Sequence, residues 1–337
     1  MIIVRSAYVE GVLFTVAAFS PNVWVLALSR LLVGFVFGNT GVMLAMLADV
    51  TPRKRLGLAV GIASAGFPLG SSIGPFLGGL VVQGPGIRTL LFTDACLSAL
   101  MGLVLTLAMH EERRATRPGG TVMGMLRASV RDIVRTPVVL RLFVLYFIAM
   151  YGITLINPYV PILLQRLYRG PAPQLATTIG TTLTLAGIAM AVTTPLWGRA
   201  GDLLGRWRIL PVIILGVAIG IGVQGAAQTL IWLQTGIVVV GLFQGGIGTT
   251  VIALLALIAP EERRASILNL SLLPMQLSWF VGPMTAALLT TIMLRLPFIA
   301  GVIALVVAAG LGAAASRSPQ AQAQARIEGG GSDLAAN

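Results

Sequence analysis

Charge is scarce in this chain. Only 10% of its 337 residues are Asp, Glu, Lys or Arg, while 56% are apolar and the mean hydropathy is +0.92. A soluble domain carries about 25% charged residues, so a soluble globular protein is excluded and a membrane protein with many spans is implied. Histidine occurs once, at His110, which excludes metal sites or nucleophilic triads built on several histidines. Cysteine occurs once, at Cys96, so no internal disulfide can form and no redox compartment is indicated. Lysine occurs once, at Lys54. The glycine-rich GGIGTT at 245–250 therefore lacks the lysine of a phosphate loop, and it lies inside an apolar run. ATP hydrolysis is not encoded, no enzyme signature is present, and no metal or cofactor is expected. The net charge of +12 would suit nucleic acid, but the basic residues sit in short clusters between apolar runs. No soluble surface is long enough to present them, so no nucleic-acid partner is expected.

What is present is a series of apolar runs. A helical span needs about 20 mainly apolar residues. Ten runs qualify: 2–19, 23–47, 57–83, 89–109, 138–164, 174–198, 208–227, 229–257, 267–293 and 296–315. No alternation of polarity suggests a barrel. The first run lacks a cleavage site of small residues and reads as a span, not a signal peptide. Arg and Lys then set the orientation. One set of loops holds Arg5, TPRKR at 51–55, EERRATRP at 111–118, GRAGDLLGRWR at 198–208 and PEERR at 260–264. With Arg127, Arg131, Arg135, Arg141 and the tail, that side holds 18 basic residues against 4 on the other, and Arg30 lies inside a span. The rich side is expected to be cytoplasmic, with both termini there, in a multi-pass protein of the cell membrane.

The segment 119–136 carries Met123, Leu126, Val130, Ile133 and Val134 at helical spacing, with Arg127, Arg131 and Arg135 on another face. It reads as a short amphipathic helix on the membrane surface, linking two halves, with lipid-binding regulation as the other reading. After Ser316 the chain is polar and of low complexity, and is expected to be disordered.

The chain also repeats. Shifted by 208 residues, Trp24 meets Trp232, Phe35 meets Phe243, Gly38 meets Gly246, Pro52 meets Pro260, and Gly74-Pro75 meets Gly282-Pro283. Two parallel halves related by an axis along the membrane normal are a known transporter plan. The spans 138–164 and 174–198 map upstream of Met1, so the expectation is four spans in the first half and six in the second. The domains expected are an incomplete bundle at 1–110, a linker with the amphipathic helix at 111–137, a six-helix bundle at 138–315 and a tail at 316–337.

Three motifs resemble the major facilitator superfamily, and more closely its drug:proton antiporter branch with twelve spans, apparently without the first two. Gly61, Gly70, Gly74, Pro75, Gly78 and Gly79 fill every place of the antiporter pattern G-x8-G-x3-G-P-x2-G-G. Gly198, Asp202, Gly205 and Arg206 resemble the family's loop motif, with Ala200 and Leu203 departing from it. Leu26, Arg30 and Gly34 resemble a third motif, with Val33 where Gln is common. The likeness extends over roughly residues 1–315. It implies an all-α membrane protein of two pseudo-symmetric bundles, driven by an ion gradient.

Each motif has a physical reading. Gly70, Gly74 and Gly78 recur every four residues and make a smooth stripe that lets a neighbouring backbone approach closely. Pro75 frees the carbonyl of Ser71 and favours a bend. Ser278, Gly282 and Ala286, with Pro283, repeat the stripe. These two helices are expected to form the interface between halves and to rock there. Plain tight packing without motion is the alternative. Arg30 within a span is costly unless paired or functional. Glu10 falls at similar depth across a hairpin, so a structural ion pair competes with a role for Glu10, or the more peripheral Asp94, in taking up protons. The family's usual coupling acids often lie in its first span. The resemblance implies that Asp49 and Asp202 join cytoplasmic charge networks. It also points to Asn39, Thr40, Tyr151, Asn157 and Gln244 as cavity-lining groups, with hydrogen bonding between helices as the other reading.

The function expected is proton-coupled efflux of lipophilic small molecules by alternating access. The partners expected are the bilayer, protons and a small lipophilic substrate, and the protein is expected as a monomer. Two alternatives stay open: a proton-linked uptake carrier or other solute carrier of the same fold, and a truncated membrane protein that does not transport.

Overall fold

In hydrocarbon every backbone N–H and C=O must find a partner within the chain, and a helix does this locally. A computed structural model of the protein describes residues 2–36, 70, 73–108, 131, 133–258, 267 and 270–316, and among them every regular element is a helix. The main helices are α1 (Ile2–Ala18), α2 (Val23–Val36), α3 (Ile73–Gln83), α4 (Ile87–Ala108), α5 (Pro137–Thr154) and α6 (Val160–Leu167). They continue with α7 (Leu175–Leu204), α8 (Arg206–Ala226), α9 (Leu230–Ile258), α10 (Leu273–Thr290) and α11 (Leu296–Ser316). Six of these, α4, α5, α7, α8, α9 and α11, are long and apolar enough to cross a membrane. Of the ten expected spans, 23–47, 57–83, 89–109 and 267–293 fall partly outside the described residues. Most of the linker helix and the tail after Ser316 also lie outside them.

Two boundaries differ from expectation for a local reason. The expected span 138–164 is two helices, α5 and α6, separated by a turn at 155–159. Pro158 has no N–H, and its ring clashes with the carbonyl four residues back, that of Thr154, where α5 stops. The expected span 174–198 instead runs on to Leu204 and stops at Gly205, whose φ of +88° is open to glycine at little cost.

The chain divides into two compact units, Met1–Pro118 with Gly170–Thr181, and Gly119–Arg169 with Thr182–Asn337. In the first, α1 lies on α4. A Cβ at Gly11 would stand 3.1 Å from the Ala95 carbonyl oxygen, the Tyr8 hydroxyl lies 3.3 Å from Thr106 Oγ1, and Phe19 meets Phe92 edge-on at 5.9 Å. In the second, α8 packs against α9 and α11 and buries Leu210, Ile213, Ile214, Val217 and Ile221 completely. Glycines bring α5 and α11 together. A Cβ at Gly152 would stand 2.9 Å from the Gly301 carbonyl oxygen, and one at Gly301 would stand 2.7 Å from that of Gly152. Such backbone contact replaces the hydrophobic drive that is lost when the solvent is itself apolar.

α1 ends at Ala18 and α8 at Ala226, positions separated by the same shift of 208 that aligns the sequence repeat.

Candidate functional site

Three groups of candidate residues can be built up from the helices that carry them. The first is charged and belongs to the first unit. Glu10 on α1 and Asp94 on α4 are both half-buried, and Arg30 on α2 is exposed. Asp94 is near enough to Glu10 for the two carboxylates to repel and near enough to Arg30 to be attracted by it. The Arg30 guanidinium also stands over the Phe14 ring, 4.6 Å from its centroid, an arrangement that attracts a cation to the ring face. Arg30 makes no ion pair with Glu10 among the described residues. In place of the structural pair expected from the hairpin, the Arg30 guanidinium stands over an aromatic ring, with Asp94 as an acidic neighbour at longer range. Glu10 is left with an acidic neighbour.

The second group is the Gly-Pro helix α3. Gly79 is buried, and a Cβ there would lie 2.6 Å from the Ala176 carbonyl oxygen. Gly180 meets the carbonyl oxygen of Pro75 just as closely, and a Cβ there would lie 3.2 Å from Phe76 Cα. Thr177 donates a hydrogen bond to Gln83 Oε1 across the same seam. Gly78 turns toward Leu90, while Gly70 and Gly74 have no described atom within 4 Å of a Cβ position. Backbone contact therefore runs along Pro75 and Gly79, one residue round from the expected stripe, and the partner is the start of α7.

In the second unit the corresponding stripe has a different partner. Ser278, Gly282 and Ala286 of α10 are buried, and a Cβ at Gly282 would stand 2.8 Å from Thr154 Cβ on α5. Sequence reasoning gave this stripe, with Pro283, to a contact between halves. The structure packs it on α5 of the same unit, where Thr154 Oγ1 donates to the Ser278 carbonyl at 2.9 Å. A ladder of hydroxyls extends this seam. Tyr146 donates to Met275 Sδ at 3.7 Å and Tyr151 donates to Thr285 Oγ1 at 3.0 Å, while Thr290 donates to the Tyr159 hydroxyl at 3.1 Å. Of this ladder only Tyr151 was singled out from sequence. The recurrence of Tyr146, Tyr151 and Tyr159 along one apolar run was the available signal.

Gln244 on α9 is half-buried, one helical turn from Gly248, where a Cβ would stand 3.4 Å from the Tyr146 hydroxyl. α5, α9 and α10 thus converge on Tyr146. Asn157 departs from this cluster. It is exposed in the turn after α5, where Pro158 ends the helix. Asn39, Thr40, Asp49 and Gly61 lie outside the described residues.

The third group closes the connection between α7 and α8. Asp202 and Arg206 form an ion pair across the Gly205 turn, and Gly201 lies against the Arg206 side chain. Asp202 is 59% exposed, so the pair is worth at most about 1 kcal/mol. No described atom lies within 4 Å of a Cβ at Gly198. Beside it, Trp197 Nε1 donates to the Leu242 carbonyl at 2.7 Å and ties α7 to α9.

Comparison with known proteins agrees with this architecture. The family model of the Major Facilitator Superfamily matches residues 3–176 and 142–336. A multi-drug resistance efflux pump PmrA homolog of Lactococcus lactis is 26% identical over 289 residues, 85% of this chain and 70% of that protein. The multidrug resistance protein MdtG of Escherichia coli is 27% identical over 210 residues, 62% of this chain, and the match spans about half of it (51%). Among solved structures, a bacterial homologue of the human lysosomal transporter Spinster, in an inward-facing and unoccupied conformation, superposes with a TM-score of 0.71 at 17% identity, covering 94% of this chain and 82% of that one. Its inward-facing, occupied form gives the same TM-score at 18% identity. The family model's match to both halves of the chain, with helices as the regular elements among the described residues, makes the chain a member of the Major Facilitator Superfamily of multi-pass membrane transporters, which are not enzymes.

Proposed function

We propose that this chain is the transport body of a proton-coupled exporter of lipophilic small molecules. It lies in the cytoplasmic membrane as a monomer with both termini on the Arg-rich, cytoplasmic side. The observation that carries the reading is the α3 seam, where Pro75 and Gly79 of the antiporter motif touch the backbone of α7 at Ala176 and Gly180. A seam without side chains between its backbones can slide or part without interlocked groups having to repack, which alternating access requires. The names of the relatives, both multidrug resistance proteins, support the substrate class. In this reading Glu10 and Asp94 exchange protons beside Arg30. Tyr151 and Gln244 line the substrate path, and the Asp202–Arg206 pair latches one state at the cytoplasmic end. Proteoliposomes with an acid interior test it. A lipophilic fluorescent dye accumulates inside, and a protonophore abolishes the accumulation. Dye uptake that ignores the gradient, or needs the opposite one, contradicts the reading.

A further inference from the structure

We propose that the cleft between α5 and α11, at their Arg-rich ends, binds an anionic phospholipid of the adjoining leaflet. The cleft has a volume of about 460 Å³, within the range of ligand sites. Its walls are Leu140, Val144, Leu311, Ala314 and Ala315, and the one charged group among its lining residues is Arg141. Arg141 lies early in α5, which begins at Pro137, and is exposed. Arg131 and Arg135, also exposed, lie just before the helix. Apolar walls with a guanidinium beside them complement an amphiphile whose head carries a phosphate and no compensating cation. Hydrocarbon covers the leucines, and the guanidinium holds two phosphate oxygens with paired N–H donors. A free phosphate would leave the walls unused, and a zwitterionic lipid would bring a cation toward the arginines. Basic pockets between spanning helices on the cytoplasmic side bind anionic headgroups in this way. Occupancy does not depend on what the chain transports.

The test titrates the full purified chain with phosphatidylglycerol and with phosphatidylcholine of identical acyl chains, and counts retained lipid by native mass spectrometry. The expected result is preferential retention of phosphatidylglycerol, weakened about fivefold by Arg141→Gln with no change in phosphatidylcholine. Arg141 is exposed, so that variant keeps its fold, which an unchanged thermal transition verifies. Ala314→Trp fills the cleft and removes the retained lipid, and excess inorganic phosphate does not displace it. The proposal is overturned if Arg141→Gln keeps the preference, if the two lipids are retained equally, or if inorganic phosphate displaces the lipid.

Discussion

Laid on the second unit with the 208-residue shift, Glu10, Arg30 and Asp94 of the first unit fall on Ala218, Val238 and Val302. The hydroxyl ladder is confined to the other unit. Tyr146, Tyr151 and Thr154 belong to α5, and shifting α5 back by 208 places it upstream of Met1. The two units thus differ in polar chemistry: a charged group lies among the helices of the first, which also holds the Tyr8–Thr106 hydroxyl contact, and an extended hydroxyl ladder runs through the second. Their Gly-Pro helices differ in the same way. α10 presses Ser278, Gly282 and Ala286 on α5, whereas the matching Gly70 and Gly74 have no described neighbour, and α3 instead sets Pro75 and Gly79 on α7. Within the most apolar 18-residue window of Ile87–Leu107, 11% is buried, against 39% within that of its counterpart Leu296–Ser316. One small-residue pattern therefore serves two different seams among the described residues.

The comparison can be broken or sharpened by substitution. Gly282→Leu forces a branched side chain into Thr154 and is expected to destabilise the protein by about 1–3 kcal/mol, read as a lowered thermal transition. Gly78→Leu, in the first unit's stripe, would set its Cβ in ordinary contact with Leu90 at 3.7 Å and is expected to cost less than about 0.5 kcal/mol. Equal losses would erase the distinction between the two stripes. Glu10→Gln and Asp94→Asn are expected to abolish the dependence of dye uptake on the proton gradient while leaving the thermal transition in place. Uptake that still follows the gradient in both variants would remove the charged group from coupling. Thr154→Val removes the bond to the Ser278 carbonyl and is expected to cost about 0.6 kcal/mol, the average for hydrogen bonds between membrane helices. Asp202→Asn is smallest, about 0.3 kcal/mol at low salt for this exposed i,i+4 pair and vanishing at high salt. A salt-independent loss there would mean that Asp202 does more than pair with Arg206.

The frame was legible because lipid enforces simple rules. Apolar length marks spans, and the Gly-Pro pair fixed the register that Ala18 and Ala226 repeat as helix ends. The choice of seam was not legible. A stripe at every fourth residue says that a face is smooth, but Gly78 and Gly79 lie on adjoining faces and only a neighbour decides between them. The hydroxyl ladder was hidden for a related reason. Ser and Thr in apolar helices bond to their own preceding carbonyls, as Thr285 does with Val281 at 2.9 Å. Their presence alone does not show that the same oxygen also accepts from Tyr151. The break after Thr154 was readable in principle from Pro158, but the apolar run continues through it.

The central claim is that α3 must move along α7 for transport to occur. The most direct measurement places cysteines at Gln83 and Thr177, whose side chains meet across the seam, in a Cys96→Ser background and follows transport and cross-linking in the same proteoliposomes. Oxidation is predicted to stop transport in proportion to the cross-linked fraction, and reductant to restore it. Full transport by completely cross-linked protein would contradict the account.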